Sequence, residues 1–82
     1  MTKPTHPTVL YDMPVGKQAR ITEIRGGRDL TRRLLSLGLR VGSVISVIQQ
    51  RHRGVVVACA GNRVALGSSI AGKVFMQPLE PA

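Results

Sequence analysis

The sequence predicts a mainly β fold: a small closed or nearly closed barrel of about five short strands carrying one α-helix. Three observations point there. Aliphatic and β-branched residues come in short runs bounded by glycines and prolines, only one stretch keeps helical spacing, and a chain of 82 residues can bury only one small core. Short strands with glycine-rich turns also favour closure, which limits exposed edges.

The elements follow in order. Residues 1–8 carry Pro4 and Pro7 and no hydrophobic pattern, and read as a leader before a single domain over 9–78 and a tail over 79–82. Val9-Leu10-Tyr11-Asp12-Met13 brings apolar residues up to the turn residues Pro14-Val15-Gly16. In residues 17–24, Ala19 and Ile21 alternate with Gln18, Arg20 and Thr22, as on a half-buried strand. The alternation slips at Glu23-Ile24, which fits a bulge or the strand end, and Gly26-Gly27 breaks it.

Residues 28–38 form the helix. Leu30, Leu34 and Leu37 fall at i, i+4 and i+7 and share one face, Asp29 is a candidate cap, and Gly38 is a natural residue to end it. Leu35 lies off that face, beside Arg28 and Arg32. Two readings stay open for it: tucked under a neighbouring segment, or exposed for a partner.

Strands follow. Residues 43–49 are rich in valine and isoleucine, and Gln50-Arg51-His52-Arg53-Gly54 reads as a polar loop. Residues 55–60 are continuously apolar and fit a central strand. Gly61-Asn62 suits a two-residue type II′ hairpin turn into Arg63-Val64-Ala65-Leu66. Residues 67–72 allow one helical turn, with a serine available as cap, before a last strand at 73–77; Pro78 and Pro81 end regular structure.

Composition bounds function. Twelve Lys+Arg against four Asp+Glu leave a formal net charge of +8. Such a balance raises nucleic acid, anionic membrane or acidic protein partners. The arginines are dispersed rather than blocked, and the only aromatics are Tyr11 and Phe75, so base-stacking platforms are lacking. The single cysteine, Cys59, excludes an intramolecular disulfide framework. No apolar run approaches the roughly 18 residues a membrane helix needs, and the first residues lack a signal-peptide pattern, so a cytoplasmic location is expected. The small core argues against an enzyme pocket.

Particular residues carry a resemblance. Leu10 and Met13 precede Gly16, with Ala19, Ile21 and Ile24 after it. Arg32-Arg33-Leu34-Leu35-Ser36-Leu37-Gly38-Leu39 runs into Val41-Gly42-Ser43-Val44-Ile45. Gly61-Asn62-Arg63-Val64-Ala65-Leu66-Gly67 and Ala71-Gly72-Lys73-Val74 complete the series. Their order and spacing over residues 9–77 resemble the FeoA family, small cytoplasmic proteins of bacterial ferrous-iron uptake. The resemblance implies an SH3-like barrel with the helix inserted after the first strand, and a regulatory role at the cytoplasmic GTP-binding region of the FeoB transporter. It also implies an alternative, because the same module forms the C-terminal domain of iron-dependent repressors. No helix-turn-helix precedes it in this sequence, which favours a free-standing protein.

Candidate sites follow from chemistry. The metal-ligating types are His6, His52, Cys59, Asp12, Glu23 and Asp29, but no three or four of them fall at ligand spacing. His52 and His6 are the weak metal candidates, and no cofactor is expected. No nucleophile is paired with an acid or base. An arginine finger toward a partner's nucleotide is chemically open to Arg25, Arg28, Arg32 or Arg40. The leading expectation is a docking face in which Leu35 anchors among Arg28, Arg32, Arg33 and Arg40. The rivals are a basic nucleic-acid-binding barrel and, last, an enzyme. The membrane is reached only through the transporter, and pairing of two copies across an edge strand stays open.

Overall fold

The chain runs through β1 (Thr8–Val9), a 3₁₀ turn (Leu10–Asp12), β2 (Gln18–Ile24), α1 (Gly27–Ser36), β3 (Val44–Arg51), β4 (Gly54–Cys59), β5 (Asn62–Gly67), α2 (Ser68–Ala71) and β6 (Val74–Pro78). This computed structural model describes residues 8–79. The expected leader and tail, apart from Thr8 and Leu79, lie outside the described residues, as does His6.

All strands lie in one six-stranded antiparallel sheet, ordered β1-β6-β2-β3-β4-β5. Period-two alternation turns one face inward. Ala19 and Ile21 of β2, Ile45 and Val47 of β3, Val55 and Val57 of β4, Val64 and Leu66 of β5, and Val74 and Met76 of β6 are all buried in one cluster. Five successive strands can share a single small core only if the sheet curls, and the result is an SH3-like barrel. Leu10 and Met13 from the N-terminal segment, Leu34 and Leu39 around α1, and Ala71 of α2 fill the rest.

The N-terminal segment is latched to the β3–β4 hairpin. The Gln50 amide donates to the carbonyls of Tyr11 and Met13, the latter at 2.6 Å, while the Tyr11 hydroxyl donates to the His52 carbonyl at 3.0 Å. The two Gln50 bonds satisfy carbonyls of the segment around the 3₁₀ turn, which lies outside the sheet ladder.

Several expectations are corrected. Six strands form rather than about five, because Thr8–Val9 pairs with Met76 and Phe75 of β6; α1 therefore follows the second strand. The bulge at Glu23 is present, as the β2–β6 register shifts between Ile21 and Glu23. β3 continues through Gln50 to Arg51, leaving only His52-Arg53 as the turn, because a second bulge between Val47 and Gln49 keeps the ladder with β4 going. β4 is interior but lies next to the edge strand β5, so its outward valine and alanine are only half covered. The β4–β5 turn is Ala60-Gly61, not Gly61-Asn62, since Asn62 already pairs with Cys59. Both turn residues have positive φ, +51° and +84°, the type I′ geometry whose twist matches the strands.

Helix α1 begins a residue early. Gly26 is its N-cap and no side chain caps it, so Asp29 sits within the first turn, where its carboxylate favours the positive end of the helix dipole. Its end follows a Schellman pattern: Gly38, at φ +88°, donates to Leu35 at 2.9 Å and Leu39 donates to Leu34 at 2.8 Å. That reversal moves Leu37 off the expected apolar face, to 43% exposure, and sends Leu39 into the core in its place. In α2 the N-cap is Gly67, and no serine side chain caps it.

Candidate partner-binding site

The structure shows Leu35 exposed rather than tucked under a neighbouring described segment. Leu34 is fully buried, whereas its neighbour Leu35 is 55% exposed. One helical step of about 100° separates them, enough to carry a side chain from the core boundary to solvent. Among the described residues no segment covers the leucine.

Arg28 and Arg32 flank it, since residues three and seven positions apart share a helix face. Together with Thr31, Ile24 and Gly27 they line a groove beside α1. Arg33 points to the other flank and lines a separate groove with Asp29, Leu30, Ile70 and Lys73. Arg40 sits past the helix, in the turn whose backbone is held by the Ser43 hydroxyl, which accepts from the Arg40 N–H at 3.1 Å. Arg28 and Arg32 thus share the face of Leu35, Arg33 lies on the other flank, and Arg40 lies beyond the helix end.

Among the described residues none of these arginines has an ion-pair partner. Among the described residues the ion pair Arg25–Glu23, at 2.9 Å, is the only one. Arg25 is further engaged over the Phe75 ring, 4.4 Å from its centroid. An exposed leucine bordered by unpaired guanidinium groups offers an apolar anchor with a charged rim, a common arrangement at protein interfaces.

Among the described residues the metal candidates are not brought together. His52 lies exposed in the β3–β4 turn, and Cys59 is half-buried at the end of β4. Among the described residues no three His, Cys, Asp or Glu side chains could hold a metal ion. No helix among them is long and apolar enough to cross a membrane.

One feature escaped sequence reasoning. Arg51, at the end of β3 rather than in a loop, and Arg53, in the β3–β4 turn, border a groove on the outer face of β3, β4 and β5. Its sequence signal was the alternation of small residues in β5, which is visible only once the register is known.

Fold and surface together define a small SH3-like barrel with an exposed leucine and arginine face on α1. The FeoA domain family model matches residues 8–78, and the chain belongs to that family. A "Putative Fe(2+) transport protein A" of Methanocaldococcus jannaschii is 28% identical over 65 residues, 79% of either chain. A solved iron uptake regulatory protein (FeoA) superposes with a TM-score of 0.84 at 29% identity, covering 90% of this chain and 100% of that one. A manganese-dependent transcriptional repressor matches at a TM-score of 0.80 and 23% identity, over 90% of this chain but 44% of its own, a likeness of fold.

Proposed function

We propose that this protein is a non-enzymatic accessory protein of ferrous-iron uptake. It docks, on the cytoplasmic side, on the GTP-binding region of a FeoB-like transporter. Membership of the FeoA family supports the pathway. The observation that carries the docking face is Leu35, more than half exposed on α1 and bordered by Arg28 and Arg32, which have no acidic partner among the described residues.

Engagement of both aromatics favours a protein partner over single-stranded nucleic acid. Phe75 lies beneath Arg25, and Tyr11 is partly buried against the core cluster, so neither ring is freely presented as a stacking platform.

The test is retention of the protein on the immobilised cytoplasmic region of the transporter, with and without guanine nucleotide. Wild type is retained, and Leu35→Asp is lost while its circular dichroism spectrum is unchanged. Equal retention of the folded variant would exclude α1 as the docking face.

A further inference from the structure

Strand β5 is an open edge of the sheet. Its pairing with β4 identifies which backbone groups face outward. Cys59 and Asn62 close a two-residue turn and therefore exchange hydrogen bonds, as do Val57 with Val64 and Val55 with Leu66 two residues apart along the ladder. Arg63 and Ala65 then point their N–H and C=O groups away from β4. No backbone or side-chain partner reaches them among the described residues. Two consecutive outward positions are a template for an added strand.

The face beside this edge has a definite chemistry. Across β3, β4 and β5, Gln49, Val56 and Ala65 form one row and Arg51, Gly54 and Gly67 the next. The opposed glycines leave the second row almost without side chains, so the groove reaches Val55 and Leu66. Every charged residue lining it is an arginine: Arg51 and Arg53. With its amide oxygen turned toward the guanidinium, Gln49 accepts from Arg51 Nη2 and Nε at 2.7 and 2.9 Å, which holds Arg51 at the rim. Arg63, the first outward side chain of β5, adds a third positive charge next to the edge.

We infer that the β5 edge binds an extended acidic segment of a partner protein by strand addition. The segment's main chain bonds Arg63 and Ala65, and its carboxylates meet Arg51, Arg53 and Arg63. Charge selects this occupant. A second copy of the chain would bring another net +8 against the same arginines. Period-two alternation adds the side-chain pattern: carboxylates on the arginine face alternate with aliphatic residues over Val64 and Leu66, which lie at the margin of the core. This surface lies on β3–β5 and stands whether or not α1 is the docking face for the transporter.

The probe is a capped octapeptide of alternating glutamate and valine, titrated into the full chain labelled with ¹⁵N. Two control peptides accompany it: one with lysine for glutamate, and one with the same charges but N-methylated at alternate residues, which removes the edge hydrogen bonds. Amide shifts are expected at residues 62–67, with affinity falling at least tenfold for the Arg51→Glu, Arg53→Glu double variant and for the N-methylated peptide. Shifts confined to α1, equal binding of the lysine or N-methylated peptide, or dimerisation through β5 without peptide would each overturn the inference. So would the absence of any shift, which would leave Arg63 as a charge that only guards the edge against aggregation.

Discussion

Leu34 and Leu35 adjoin in sequence and should respond oppositely to the same truncation. Leu34 has no exposure and belongs to the core cluster, whereas Leu35 is 55% exposed. Leucine-to-alanine changes at buried sites cost about 3–5 kcal/mol, the lost transfer free energy plus a cavity. At roughly 0.05–0.15 kcal/mol per residue, a chain this size has on the order of 4–12 kcal/mol in total. Leu34→Ala therefore removes a quarter of the stability or more, a fall in Tm on the order of 12–40 °C. Leu35→Ala should cost only about 1 kcal/mol or less, because more than half of its surface stays in water on folding. In binding, the order reverses. Burying a whole leucine side chain is worth about 1.5–3 kcal/mol, so covering the 55% still exposed contributes about 0.8–1.6 kcal/mol, or roughly four- to sixteen-fold in Kd. Urea unfolding followed by circular dichroism reads the first quantity, and biolayer interferometry against the transporter's cytoplasmic region reads the second. If Leu35→Ala lowered the urea midpoint as far as Leu34→Ala, the assignment of Leu35 to the surface would be refuted.

Two further predictions concern the β4–β5 hairpin. A Cβ on Gly54 would lie 2.5 Å from the Leu66 carbonyl oxygen, so Gly54→Ala must push the ladder apart and should cost about 1–3 kcal/mol, while Gly67→Ala, with open space around it, should be mild; matched urea midpoints would contradict the close approach. Ala60 holds a left-handed conformation at φ +51°, and asparagine tolerates that region better, so Ala60→Asn should raise stability by about 0.5–1 kcal/mol in the same assay. A decrease would argue against the type I′ turn.

Much of the architecture was legible in the residues themselves. The alternation at Ala19 and Ile21, the valine-rich runs and the leucine spacing before Gly38 each reflect a local period that side-chain burial imposes. The slip at Glu23 even marked the bulge. Errors fell where pairing rather than propensity decides. The two-residue β1 has no period of its own and exists because β6 offers it a ladder. The β3 bulge carries the strand through Gln50 to Arg51, and the Cys59–Asn62 pair moves the turn back by one residue.

Site residues divide in the same way. That Leu35 stood beside Arg28 and Arg32 followed from helical geometry, and membership of the FeoA family was carried by motifs in their order. Whether another segment lay over Leu35 could not follow from α1 alone, because burial depends on what the rest of the chain brings near. The groove at Arg51 and Arg53 needed three strands in register before its small floor and positive rim became one surface. The sequence by itself determined a basic, aliphatic barrel with one helix, since composition and period are properties of single segments. Only the tertiary structure decided which leucine faces water and which strand remains an open edge, because exposure and edges are relations between segments.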